Sequence, residues 1–349
     1  MYVNLRQRGG ILRAVHTMDM SINPMSDKDF EGLAMDFIAS LDSAESTRQT
    51  YRKAIDIFFE WVSMQGKPLK EFDSLDILSY KDMLLAENKS ALTVNLYLSV
   101  VRRFYKWASA NLGFHDVANS VSSVRTKKET FRKMHLKSSE GARLLEESAL
   151  PKEVKGRTEG LTRKLSEVEE MIAARDYAMI NLMLRAGLRT IEVSRADVGD
   201  IVRMKGRRVL KVWGKGHAEK DDFVILTDEA YDPIRRYLKF RQGVKPDEPL
   251  FACAGLDSEG RRMSTRRIQA ICKETLRAIG LDGHEYSAHS LRHTTGTQIL
   301  LNGGTMFDVQ HVLRHASPAT SQLYVNTIME EKRLADASEA LLDEAFKEQ

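Results

Sequence analysis

Cysteine is nearly absent: Cys253 and Cys272 are the only two among 349 residues. That excludes a disulfide framework and a four-cysteine zinc site, and it suits a reducing compartment. Long apolar runs are missing as well, since none reaches the roughly 18 to 20 residues that span a bilayer. The first twenty residues carry Arg6, Arg8 and Arg13 but no apolar stretch of about 7 to 15 residues, so no secretory signal is expected. A cytoplasmic location without a membrane partner is the resulting expectation. A large charge of one sign is also lacking: 53 Lys and Arg face 49 Asp and Glu, leaving +4. With 42% hydrophobic and 29% charged residues, the chain is neither a histone-like polycation nor an acidic disordered tail. No phosphate-cradling P-loop, HExxH zinc site or nucleophile elbow occurs. His311 and His315 stand four apart, but no acidic residue lies between them in the position a metal site requires, so no metal and no cofactor are expected. Gly214-Lys215-Gly216 reads as a hairpin turn rather than a phosphate cradle.

What is present is enough chain for about two domains of roughly 150 residues each, with cores that need no covalent staple. Four stretches space their apolar residues as helices do. Phe30, Leu33, Phe37, Ile38 and Leu41 form the first; Tyr51, Ile55, Phe58, Phe59 and Val62 form the second, ended by Gly66 and Pro68. A third runs from Ser74 to Asn88, and a fourth from Ser90 to Leu112 closes at Gly113. Short connections make these a four-helix bundle. Arg48, Arg52 and Lys53 cluster on the second helix and Arg102, Arg103 and Lys106 on the fourth, as a solvated face or as a DNA-binding one.

The second half is mixed. Helices are expected from Ser139 to Glu147 and from Ser166 to Ala186, followed by short strands at 200–204, 208–213 and 222–226, with helical spacing again from Asp232 onward. Charge separates along the chain: residues 125–164 hold twelve Lys and Arg against six Glu, whereas the tail after Tyr324 holds three against seven Asp and Glu. The basic segment beginning with Arg125, Lys127 and Lys128 is a solvated connector, a phosphate contact, or both.

The remaining signals are Leu-Arg-Ala-Gly-Leu-Arg-Thr-Ile-Glu at 184–192, Gly-Lys-Gly at 214–216, His-Ser-Leu-Arg-His-Thr at 289–294, Leu-Arg-His at 313–315, and Tyr324 nine residues after His315. Each alone has an ordinary explanation as a surface, helix-face or core residue. The ordered series Arg, Lys, His-x-x-Arg, His, Tyr at these intervals resembles the tyrosine recombinases of the phage-integrase type, most closely their Xer-like branch, from about Asp27 to Tyr324.

The resemblance implies a mainly α fold with a small antiparallel β-sheet: a four-helix core-binding bundle at 26–124, a basic linker at 125–136, and a mixed α/β catalytic domain at 137–349 with a tail helix at about 333–347. Residues 1–25 would be an extension, with disorder as one reading. Carried over residue by residue, the resemblance makes Arg189 and Arg292 the arginine pair, Lys215 the hairpin lysine, His289 and His315 the histidines, Tyr324 the nucleophile and Glu192 a supporting acid. It implies site-specific recombination through a 3′-phosphotyrosyl intermediate, used to integrate, excise or resolve DNA. The partners would be double-stranded DNA bearing specific sites and a homo-oligomer, a tetramer on two sites, with a hetero-oligomer as the other reading. The tail helix, carrying Leu334, Ala337, Leu341, Leu342 and Ala345, would dock on a neighbouring protomer or pack on its own domain. Two other functions stay open: nicking and rejoining without strand exchange, and noncatalytic DNA binding.

The residue types suit the chemistry. Guanidiniums are permanently charged and present forked donors to the nonbridging phosphate oxygens. Tyrosine, with an ordinary pKa near 10, needs help to become a nucleophile; His289 is the better proton acceptor. By analogy Lys215 would protonate the departing 5′ oxygen and His315 would donate to phosphate. One position departs from the family, where a glycine usually precedes the second histidine: here it is Arg314. Placed in a helix, arginine there would favour the helix by up to about 1 kcal/mol over glycine.

Overall fold

The computed structural model describes residues 27–126, 134–151, 162–214, 219–254 and 260–336. Its contacts divide the chain into two compact units, Met1–Lys128 and Glu129–Gln349.

The first unit holds α1 (Asp27–Ala39), α2 (Glu45–Ser63), α3 (Ser74–Ala86) and α4 (Ala91–Leu112). Its helix boundaries follow local chemistry. The Asp73 carboxylate accepts the backbone N–H groups of Leu75 and Asp76, while Asp76 reaches back to the N–H of Asp73, a reciprocal cap that starts α3. Ser90 caps α4 through the N–H of Thr93, and Gly113 ends it with a left-handed φ of 69°. Between the helices lies an aromatic core. Phe104 meets Phe37 edge-on at 5.6 Å and Phe59 at 5.2 Å, and Phe58 meets Tyr80 at 5.0 Å. Such tilted contacts satisfy the ring quadrupoles in addition to burying apolar area.

The second unit contains α5 (Ser138–Ser148), α6 (Thr162–Ala186) and α7 (Thr190–Arg195), then strands β1 (Ile201–Met204), β2 (Arg207–Val212) and β3 (Asp222–Ile225), and finally α8 (Asp228–Leu238), α9 (Thr265–Ala278), α10 (Ala288–Leu301), α11 (Met306–Leu313) and α12 (Pro318–Asp336). The strands form an antiparallel sheet in the order β1-β2-β3, with Ile201 opposite Leu210 and Leu210 opposite Val224. Leu210, Val212 and Val224 face the core, while Phe223 and Ile225 alternate outward.

α8 begins four residues before the expected Asp232. The side chain of Thr227 caps it by accepting from Ala230 N–H. Pro233 inside the helix has no N–H for the carbonyl of Glu229, and Asn181 on α6 supplies the missing donor at 2.8 Å. A tertiary contact therefore offsets what looks, from sequence, like a helix breaker. α10 is the centre of this unit, packed by α6, α9, α11 and α12, and it buries nearly every residue from Ala288 to Thr297. Among the described residues no helix is long and apolar enough to cross a membrane.

Candidate active site

The site forms where three chain turns meet α10. α6 stops at Gly187, whose φ of 58° turns the chain at once into α7. A Cβ at Gly187 would strike the Leu313 side chain, so this glycine serves both the turn and a close approach. Arg189 is the cap residue of α7. Its backbone N–H and its Nη1 donate to the two oxygens of Glu192, each at 2.7 Å, and its Nη2 reaches the Arg314 carbonyl at 3.4 Å.

Arg292 lies one helical turn after His289 on α10 and is 2% exposed. Its Nη1 donates to the Gly187 carbonyl and its Nη2 to that of Leu313. Burial, followed by the neighbouring Arg189, pushes its pKa down to about 9, so it stays charged at neutral pH. His289 is exposed. Together with Arg189, Arg292, Gln269 and Lys273 it lines a cavity of about 560 Å³. Lys273 ties down the loop before α10 through the carbonyls of Asp282 and Gly283, both at 2.7 Å.

Tyr324, on α12, is 1% exposed. Its ring stacks on His315 at 5.9 Å and lies tilted against His293 at 5.4 Å. The third side of its slot is Gly296, where a Cβ would come within 2.5 Å of the ring. Burial raises the phenol to about 12, with Arg292 and Arg189 pulling the other way. Burial and the same two arginines push His315 down to about 4, so its imidazole is neutral at pH 7. Its Nδ1 is 2.9 Å from Ser321 Oγ.

Thus Arg189, Glu192, Arg292, His315 and Tyr324 come together, and His289 opens onto the same cavity as the arginines. Lys215, Lys127 and Lys128 lie outside the described residues, as do 1–25, 152–161 and the tail beyond 336. Of the other basic residues singled out in the sequence, several are engaged within the first unit: Arg48 with the Ser43 carbonyl, Arg52 with Asp56, and Arg102 with the Val121 carbonyl. Arg103 is exposed with its guanidinium 5.8 Å from the Tyr51 ring, and Lys53, Lys106 and Arg125 are exposed. Among the described residues no cluster of His, Cys, Asp and Glu suits a metal ion.

Arg314 requires a correction. It does not continue α11 but caps it in the left-handed conformation, φ 54° and ψ 53°. Helix propensity is therefore irrelevant here, and arginine costs about 1 kcal/mol or more where glycine would cost little. Its side chain turns inward to Glu192. Sequence reading also passed over Gly296 and Ser321. Both had a positional signal: Ser321 precedes Tyr324 by one helical turn, and Gly296 interrupts an otherwise side-chain-rich helix.

Known proteins resemble this chain in sequence and in fold. Residues 158–331 match the phage integrase family and residues 36–111 the phage integrase N-terminal SAM-like domain. The tyrosine recombinase XerC of Leptospira interrogans is 28% identical over 290 residues, covering 82% of this chain and 85% of that protein. The tyrosine recombinase XerD of Ralstonia nicotianae is 28% identical over 308 residues, covering 84% and 88%. A crystal structure of the XerH site-specific recombinase bound to a palindromic difH substrate, a post-cleavage complex, superposes with a TM-score of 0.67 at 18% identity, covering 92% of this chain and 91% of that one. The chain belongs to the phage integrase family of tyrosine recombinases.

Proposed function

We propose that this protein is a site-specific DNA recombinase that cuts and rejoins strands through Tyr324. The observation that carries the reading is the placement of a buried tyrosine ring against His315, beside two arginines held by carbonyls of adjoining turns. In the reaction Tyr324 Oη attacks the scissile phosphorus, the bond to the 5′ oxygen breaks, and the strand is left as a 3′-phosphotyrosyl ester. The ester conserves the energy of the diester, so a 5′ hydroxyl from another strand reseals it without ATP.

Arg189 and Arg292 neutralise the nonbridging oxygens as charge accumulates in the transition state. The phenol proton must depart as attack proceeds, because at a pKa of about 12 almost no phenolate exists beforehand; His289 is assigned as its acceptor. We assign the Ser321 hydroxyl, 2.9 Å away, as donor to Nδ1; neutral His315 then carries its proton on Nε2 and donates a hydrogen bond to a phosphate oxygen. Family resemblance assigns the proton for the departing 5′ oxygen to Lys215.

Residues 26–124 are the core-binding domain, 125–136 the basic linker and 137–349 the catalytic domain, acting as a tetramer on two duplex sites. The exposed Lys53, Arg103, Lys106 and Arg125 contact the DNA backbone. A supercoiled plasmid bearing two direct repeats of a duplex that the protein selects from a randomised pool tests this reading. Deletion of the intervening DNA is expected; relaxation without deletion would instead identify a nicking and rejoining enzyme.

Gly296→Ala probes the slot separately. Alanine favours a helix by about 1 kcal/mol, but its methyl must displace the Tyr324 ring. Misplacing a nucleophile by about 1 Å costs on the order of 100-fold. A variant that melts no earlier than wild type yet forms covalent adduct about 100-fold more slowly is expected, and unchanged kinetics would refute the role of the slot.

A further inference from the structure

Arg314, immediately before His315, sits inside the site. We propose that Arg314 is a positioning residue for strand transfer, clamping Glu192 so that this carboxylate holds the Arg189 guanidinium on the scissile phosphate. The inference rests on the recombinase reading given above.

Glu192 is 4% exposed and the Arg314 side chain 5% exposed. One Glu192 oxygen, Oε1, receives Arg189 Nη1; the other, Oε2, receives both the Arg189 backbone N–H and Arg314 Nη2, each at 2.7 Å. Arg314 is itself fixed, because Nη1 donates to the Val312 carbonyl at 2.7 Å within its own turn. Its Nε is buried without a hydrogen-bond partner, 3.9 Å from Oδ2 of Asp222, the first residue of β3. One side chain thus joins the end of α11 to α7 and approaches the sheet.

The terminal torsion of a glutamate is broad and roughly two-fold, so the donors on its two oxygens set its orientation. The Arg189 backbone N–H already engages Oε2, and Arg314 adds a charge-assisted donor to that same oxygen, so a guanidinium reinforces the plane of the carboxylate on each side. Glycine at this position would suit the backbone better but could supply neither this added donor nor a third guanidinium. The field of Arg314 also reaches the other site residues, contributing to the lowered values of Arg292 and His315. The left-handed backbone is held by these contacts rather than by local preference.

The full-length chain, a nicked duplex selected from a randomised pool, and the variants Arg314→Gly and Arg314→Lys test the proposal. Single-turnover adduct formation, duplex affinity and thermal unfolding are measured on each. Arg314→Gly is expected to form adduct at least about tenfold more slowly, with affinity within about threefold and no lower melting temperature, and Arg314→Lys is expected to recover part of the rate. Adduct formation by Arg314→Gly within about twofold of wild type would overturn the proposal, as would a parallel fall in rate, affinity and melting temperature. Failure of the wild-type protein to form any adduct would overturn the recombinase reading instead.

Discussion

Tyr324→Phe is expected to bind duplex DNA as wild type does and to form no covalent protein-DNA adduct, a loss of at least about 10⁴-fold. The substitution removes one oxygen and keeps the ring. Because the ring packs on His315, His293 and the bare face of Gly296, phenylalanine retains the contacts that locate the residue. Stability should change little, which separates chemistry from folding. The phenol is costly to ionise where it sits, since burial outweighs the pull of Arg292 and Arg189. In the proposed reaction the phenol proton passes to His289 as Tyr324 attacks, while the arginines take up the charge that builds on phosphate, so free phenolate need not form. A nicked suicide duplex analysed under denaturing conditions reads the outcome directly. An adduct persisting in Tyr324→Phe would assign the nucleophile elsewhere.

Arg292→Lys has the second largest expected effect, about 10² to 10³-fold on adduct formation, together with a stability loss of about 2 to 4 kcal/mol. A guanidinium carries five N–H donors in a planar fork. Two of them hold the Gly187 and Leu313 carbonyls, leaving the Nε donor and one on each terminal nitrogen for phosphate. Lysine has a compact charge that cannot satisfy both carbonyls and still present a fork. Leaving a carbonyl unpaired in this dry interior adds its own penalty. Thermal unfolding measures the stability loss, and single-turnover cleavage at a temperature where the variant is fully folded isolates the catalytic part. A variant with lower stability but wild-type cleavage would restrict Arg292 to a structural role.

Much of this architecture could be read from residue order. Helices α3 and α4 carried their own signals, with Ser90 and Gly113 placing the α4 ends where the structure has them. The candidate site residues could be picked out because the family resemblance ties their types and intervals to one reaction, and Arg189, Glu192, Arg292, His315 and Tyr324 come together although they belong to the start of α7, α10, the turn after α11 and α12. The start of α8 was not legible, because Pro233 is tolerated only through Asn181, 52 positions earlier. Nor was the conformation of Arg314, since a left-handed arginine contradicts local preference and depends on a partner 122 positions away. The same limit applies to Arg48, Arg52 and Arg102: charge in a sequence does not reveal whether a carbonyl or a carboxylate of the same unit already holds it.

The last turn of α11 has a mechanical consequence. The carbonyls of Leu313 and Arg314 hold Arg292 and Arg189, and the next residue, His315, stacks on Tyr324. Both cations and the proposed nucleophile therefore touch the same three residues, although each is anchored on a different element. A displacement of that turn would disturb all three groups at once, so a single substitution there should register at each of them.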